Sequence, residues 1–272
     1  MGVIVFFKPR ERFELLKYNS KSVYVYNLTD EREELSLNAT EKCSPASLVK
    51  IMTTLVALET GPELSDVMPV NGNAYQRAIN ENASMAGFVS NESTTFRDLL
   101  YGTMLPSGGE CADTICYTIS ENGTDFVELM NQRAKSMGLK HTQFKNADEL
   151  DENGQYSSAK DITIMLKEAL KDGDFQAIFT RRDYLSTMTL DHPQGLYMES
   201  TVFNKLNNYY QEGFEILGGK SGTTNNAGLC WAVLANKDGK EYIVVTMGAS
   251  ENDPENADDG QIVDTLKILE EI

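Results

Sequence analysis

The sequence predicts an α+β fold in which an antiparallel sheet is built from both chain ends and helices occupy the middle. Three observations carry this reading. Residues 22–27, Ser-Val-Tyr-Val-Tyr-Asn, alternate in polarity and are rich in β-formers. The last third holds another strand pattern over 215–223, then a hairpin pattern over 229–236 and 241–247 around Lys237-Asp238-Gly239-Lys240. Between these ends, helical periodicity and helix punctuation dominate. Strands so far apart in sequence share a sheet only if the chain ends meet.

Taken in order, 22–27 is a strand, Asp30-Glu31-Arg32-Glu33 a polar turn, and 34–37 a second strand completing a hairpin. A helix follows from Pro45 and stops before Gly61-Pro62. Residues 64–94 read as loop. Helical periodicity resumes at 95–101 and breaks at Pro106-Ser107-Gly108-Gly109. Helices are expected over about 110–120 and 125–137, the latter closed by Gly138. Residues 142–150 read as extended, and Ser157 or Ser158 caps a helix that runs to 170. A short helix near 175–180 and a strand near 184–190 precede the C-terminal strands. After a polar stretch over 250–260, residues 261–272 form an amphipathic closing helix. The expected organisation is one domain of 1–272, with a sheet lobe of about 1–45 and 205–272 and a helical lobe of about 46–204. No internal repeat and no flexible linker interrupt it.

Composition narrows the function. With 41% apolar and 24% charged residues, the chain is an ordinary globular protein. A net charge of −17 with no lysine cluster argues against nucleic acid, whose phosphates require a basic face. No run reaches the length of a membrane span. The start, Met1-Gly2-Val3-Ile4-Val5-Phe6-Phe7, is too short and wrongly charged for a signal peptide, so any export signal or anchor is expected to have been trimmed. Cys43, Cys111, Cys116 and Cys230 match no zinc spacing. They read as buried thiols, with one or two disulfides as the alternative. Only His141 and His192 are present, so no histidine-rich metal site is expected and no cofactor is called for. Both read as surface or turn residues.

The chemistry concentrates in Pro45-Ala46-Ser47-Leu48-Val49-Lys50. Three residues are nearly one helical turn, so the Ser47 hydroxyl and the Lys50 ammonium share a face. A neutral Lys50 could take the serine's proton and leave a nucleophile. That requires its pKa to fall by about 3 from ≈ 10.4, through burial and a nearby second cation. The same spacing recurs at Ser157-Ser158-Ala159-Lys160, so the pattern alone is not enough.

Ser47-x-x-Lys50, Ser107-Gly108-Gly109 and Lys220-Ser221-Gly222-Thr223, in this order, resemble the motif set of serine penicillin-binding proteins and β-lactamases. The fuller resemblance is to the low-molecular-mass D-alanyl-D-alanine carboxypeptidases. It includes Tyr26-Asn27, Met104-Leu105-Pro106-Ser107-Gly108, Thr142-x-Phe144-x-Asn146 and Tyr156-Ser157-Ser158-Ala159-x-Asp161. It therefore covers nearly the whole chain and favours Ser47 over the 157–160 decoy, which reads as a helix cap. The resemblance implies a β-lactamase/transpeptidase-like fold with the site between sheet and helices. The implied activity is removal of the terminal D-Ala from peptidoglycan stem peptides ending in D-Ala-D-Ala, through an acyl-enzyme on Ser47 that β-lactam antibiotics would also form. The implied location is the bacterial cell envelope, with membrane association only through a segment absent from this chain.

The resemblance also suggests roles. Ser107 relays a proton toward the leaving amine, and Lys220, helped by Ser221, meets the substrate's terminal carboxylate. Gly222 lets substrate pass close to the backbone, and the N–H groups of Ser47 and Thr223 form the oxyanion hole. Several positions depart from the family pattern. Gly109 stands where an asparagine is usual, so water, Glu110 or another side chain must substitute, or activity is reduced. Glu149 stands where glycine is common. No arginine follows Arg182, and the chain stops without a β-rich C-terminal domain. Two alternatives follow from these departures: a non-catalytic or weakly active peptidoglycan or β-lactam binder that lost turnover through Gly109, and a β-lactamase, of whose water-positioning glutamate Glu149 is a loose echo.

Overall fold

A computed structural model describes residues 17–120, 123–251 and 259–272. The first residues and most of the polar stretch 250–260 lie outside the described residues. β1 (Ser22–Asn27) and β2 (Arg32–Leu37) form the first hairpin. β7 (Phe214–Thr224), β8 (Gly228–Lys237) and β9 (Lys240–Ala249) form a C-terminal meander. β9 pairs with β1 from Ser22–Met247 to Asn27–Tyr242, giving a five-stranded antiparallel sheet of order β2-β1-β9-β8-β7. The chain ends do meet in one sheet, and β7 is left as an edge.

The period-two alternation of β8 divides the core. Trp231, Val233 and Ala235 join Val23, Val25 and Val244 on one face. That face is covered by α8 (Thr201–Leu206) and α9 (Gly260–Glu271) through Val202, Phe203, Leu206, Ile262, Leu266 and Leu269. Ala232 and Leu234 join Tyr24, Ile243 and Val245 on the other, facing the main helical core.

At the centre of that core lies α1 (Val49–Thr60), in which every residue from Val49 to Ala57 is buried. A helix apolar nearly all round must be enclosed by neighbours. Around it stand α3 (Phe96–Met104), α4 (Gly109–Ile119), α5 (Thr124–Ser136), α6 (Ala159–Ala169) and α7 (Gly173–Phe179). The α3 start is fixed by a reciprocal capping box of Thr95 and Asp98. The α6 start is fixed by Ser158 Oγ accepting from Asp161 N at 3.2 Å. The decoy serines are therefore cap and loop residues: Ser157 bonds Thr142 at 2.9 Å.

Four expectations need correction. The 64–94 segment is not all loop: it holds β3 (Val67–Pro69), α2 (Gly72–Asn80) and β4 (Ser93–Thr95). α2 begins with Gly72-Asn73, weak helix formers, and depends on Asn71, whose side chain accepts from Asn73 N and Ala74 N at 2.9 and 3.1 Å. Residues 142–150 form no strand, only the single bridge Gln143–Tyr156. The expected strand 184–190 ends early, as β5 (Asp183–Leu185), which pairs with β6 (Tyr197–Glu199). Finally, Ser47 lies in a one-turn 3₁₀ segment, Ala46–Leu48, just ahead of α1.

All four cysteines are free. Among the described residues no helix is long and apolar enough to cross a membrane.

Candidate active site

Ser47 is placed by the 3₁₀ turn that leads into α1, and Lys50 by the first turn of α1 itself. Because α1 is enclosed, Lys50 is fully buried, and burial pushes its pKa down to about 8 against the pull of Asp148, Asp113 and Glu110. Ser107 comes from the loop between α3 and α4. Its φ of +68° and that of Ala46, +47°, put two non-glycine residues in the left-handed region beside the reacting groups. Such conformations cost roughly 1–3 kcal/mol each and persist where surroundings enforce them. Lys220 comes from the edge strand β7 and is also fully buried; burial, then the Lys50 charge, holds its pKa well below the ordinary lysine value.

These four side chains converge. Ser107 Oγ donates to Ser47 Oγ at 2.9 Å and receives bonds from Lys50 Nζ at 3.3 Å and Lys220 Nζ at 2.8 Å. Lys50 Nζ reaches Ser47 Oγ at 3.5 Å. Lys220 Nζ also donates to the backbone oxygen of Ser221 at 2.8 Å, so the ammonium is turned inward, behind Ser107. Ser221 Oγ bonds Thr201 Oγ1 at 2.7 Å, and Thr223 is exposed on the β7 edge.

The glycines prove to be packing requirements. A Cβ on Gly222 would lie 2.8 Å from the Ser47 nitrogen, so this glycine lets β7 press against the Ser47 turn. A Cβ on Gly109 would stand 3.1 Å from the Ala83 Cβ and 3.4 Å from the Ser84 oxygen. The 83–84 loop fills the space into which a longer side chain at 109 would point, and Gly109 N donates to Ser84 O at 2.7 Å. Glu110, one of the substitutes considered for the absent amide, is turned away: its Oε1 accepts from Ala86 N and Gly87 N at 2.7 and 2.9 Å.

A fifth group, which sequence reasoning noted only as a departure, occupies the centre. Glu149 Oε2 accepts from Ser47 Oγ at 2.5 Å and from Ser107 Oγ at 3.3 Å, and it is in direct contact with Lys50 Nζ as an ion pair. Its Oε1 accepts from Ser84 N at 2.8 Å. The glutamate at a usual glycine position was the available signal.

Behind these groups a buried acidic pair was not anticipated: Arg77 binds Asp113 at 2.8 Å and Asp148 at 3.3 Å. Burial and the Asp148 charge push the Asp113 carboxyl up to about 7. Asp151 ties the segment to the sheet, accepting from Ser44 Oγ at 2.7 Å, Thr224 Oγ1 at 2.9 Å and Asn226 N at 3.3 Å. Neither histidine bonds the converging groups. His192 Nδ1 pairs with Glu92 at 2.8 Å, and His141 Nδ1 lies 4.0 Å from Asp161.

Chemically, this is a serine hydroxyl flanked by a carboxylate, two buried amines and a second hydroxyl, set beside an open strand edge. It can activate a nucleophile and pass protons.

Comparison with known proteins agrees with the fold and with the family the motifs resemble. The family profile described as D-alanyl-D-alanine carboxypeptidase (peptidase S11) matches residues 16–251. The D-alanyl-D-alanine carboxypeptidase DacF of Bacillus subtilis is 31% identical over 255 residues, covering 93% of this chain and 64% of that protein. DacA of Haemophilus influenzae is 28% identical, covering 82% of this chain and 56% of its own length. The chain thus spans less than two thirds of these relatives. A variant of the Streptomyces K15 DD-transpeptidase has the same fold, with a TM-score of 0.84 and 24% identity, covering 94% of this chain and 98% of that one.

Proposed function

The chain belongs to the D-alanyl-D-alanine carboxypeptidase family, and from that premise we propose that it is a serine D,D-peptidase that releases the terminal D-Ala of peptidoglycan stem peptides. The observation that supports this best is the convergence of Ser47, Lys50, Ser107 and Lys220 within hydrogen-bond reach of one another. Ser47 attacks the penultimate D-Ala carbonyl and Lys50 is the acceptor for its proton. A pKa of about 8 lets this lysine give up and regain a proton near neutral pH. Ser107 passes a proton to the departing amine, since a hydroxyl donates and accepts at once. Lys220 supplies positive potential for the substrate's terminal carboxylate, whose direct contacts are the hydroxyls of Ser221 and Thr223.

The extended peptide lies along the free edge of β7, where unpaired backbone groups suit strand addition. The N–H groups of Ser47 and Thr223 serve the oxyanion, each such donor typically contributing ~2.7–4 kcal/mol. Gly222 brings the two close. β-Lactams acylate the same serine. The sheet and helices act together as one peptidase domain in the bacterial cell envelope, without metal or cofactor.

The test follows fluorescent penicillin labelling and D-alanine release from a Lys-D-Ala-D-Ala peptide, for wild type and Ser47→Ala. Both should be lost in the variant. Labelling that survives Ser47→Ala would refute the nucleophile. Labelling without D-alanine release would indicate a binder, and rapid penicillin turnover a β-lactamase.

A further inference from the structure

We propose that Glu149 is a further catalytic residue, whose carboxylate carries the Ser47 proton to Lys50 and takes the place of the side-chain amide absent at position 109. The inference rests on the peptidase reading above and concerns the route of its proton.

Three observations carry it. The direct Ser47–Lys50 separation, 3.5 Å, is at the limit of a hydrogen bond, whereas Ser47 Oγ lies 2.5 Å from Glu149 Oε2. That same oxygen touches Lys50 Nζ, so a two-step path is shorter at each step than the single jump. Second, the carboxylate is built in. Its side chain is 7% exposed, and its other oxygen is held by the Ser84 N–H at 2.8 Å. Removing a carboxylate from water is unfavourable unless it is paired and hydrogen-bonded, and here every bond points at a reacting group or its anchor.

Third, the two sequence departures are one structural unit. With only hydrogen at 109, the Ala83-Ser84 loop sits against the start of α4, and Gly109 N–H fixes the Ser84 carbonyl at 2.7 Å. The Ser84 N–H then holds Glu149 where it meets Lys50. A larger residue at 109 would press on the loop that positions the glutamate.

The proton balance closes. In acylation the Ser47 O–H bond breaks as Oγ bonds the penultimate D-Ala carbonyl carbon, and the proton moves to Glu149 Oε2. The Lys50 ammonium gives a proton to Ser107 Oγ, 3.3 Å away, whose own proton goes to the departing D-Ala nitrogen as the C–N bond breaks. Glu149 then passes its proton to Lys50 and the ammonium–carboxylate pair is restored. In deacylation, water yields a proton to Glu149 Oε2 as its oxygen attacks the ester carbon. That proton returns to Ser47 Oγ when the C–O bond breaks.

The experiment compares wild type, Glu149→Gln and Glu149→Asp. It measures acylation of Ser47 by penicillin, followed by mass, and kcat and KM for D-alanine release from pH 6 to 10. Glutamine keeps the size and one acceptor oxygen but cannot carry the proton. Acylation rate and kcat should fall ~10²–10⁴-fold in Glu149→Gln, as for loss of a general acid–base, with KM changed less than about threefold. Its alkaline limb should also move to lower pH, since the route needs Lys50 charged. Lys50 loses the carboxylate that favours its charged form, while Asp148, Asp113, Glu110, Cys111 and Lys220 still face it. Glu149→Asp, which draws the carboxylate back from Ser47 but keeps its charge near Lys50, should lose about tenfold with the pH profile retained. It decides the matter if the glutamine variant does not fold.

A wild-type rate and profile in Glu149→Gln, or an unchanged rate in Glu149→Asp, would overturn the proposal; so would a faster Glu149→Gln, which would mark the carboxylate as an obstruction. Wild-type labelling at Ser47 with D-alanine release upholds the peptidase reading whatever the Glu149 variants do. Wild type that does neither removes both.

Discussion

Lys50 and Lys220 reach the same Ser107 hydroxyl from opposite walls, and their surroundings differ. Lys50 rises from a helix among carboxylates: Glu149 in contact, with Asp148, Asp113 and Glu110 acting on it. Lys220 extends from a strand onto a hydroxyl and a backbone oxygen, and the charge that acts on it is another lysine. Burial lowers both pKa values, but among the described residues only the helical side offers an internal counter-charge. A cation with carboxylates at hand can exchange a proton without leaving net charge behind. A buried cation lacking one is suited to an anion arriving from outside, as the proposed role of Lys220 requires.

The largest expected break is Lys50→Ala. It removes the proton acceptor and leaves Glu149 uncompensated, so kcat/KM should fall about 10³-fold. Stability by denaturant unfolding should drop by ~3–5 kcal/mol, the range for stripping one partner from a buried pair. Lys220→Ala should cost roughly 10–100-fold, chiefly in KM, from loss of the positive potential behind the site. Its pH profile sharpens the contrast. Without a neighbouring cation Lys50 holds its proton more tightly, so the alkaline limb should move to higher pH, opposite to Glu149→Gln. Shifts in the same direction would break the comparison.

Gly222→Ala drives a methyl to 2.8 Å from the Ser47 nitrogen. It should slow penicillin acylation by about tenfold and destabilise by ~1–3 kcal/mol, the range for overpacking.

The smallest effect is expected on the acidic side itself. Asp113 has an ordinary pKa of 3.8 and is held up to about 7 in the fold by burial and Asp148. Between those values the unfolded chain has released the proton and the folded chain keeps it. Stability from this group therefore falls as pH rises from 4 to 7 and is flat above. Asp113→Asn should flatten that slope, read as Tm across the window at roughly 2–4 °C per kcal/mol.

Much of the sheet was legible because alternation is a local signal: β1 and the β8–β9 hairpin can be read from their own residues. So could the cap of α6 and the order of the three motifs. α2 was hidden because its stability comes from the Asn71 cap and its neighbours, not from Gly72-Asn73. The site was legible where chemistry sits in short spacings, as in Ser47-x-x-Lys50. It was not where the partner arrives from across the fold: Glu149 is 99 residues from Lys50, and no spacing rule links them. Gly109 and Glu149 were each visible as departures. Their connection runs through Ser84, a residue with no signature, and only three-dimensional packing exposes it.

Asp151 gives this arrangement a mechanical side. Two positions beyond Glu149, it is stitched to Ser44, ahead of the nucleophile turn, and to Thr224 and Asn226 at the end of β7. The segment is thus pinned from two sides, so the position of the carboxylate that meets Ser47 is set jointly by the turn before the nucleophile and by the end of the edge strand.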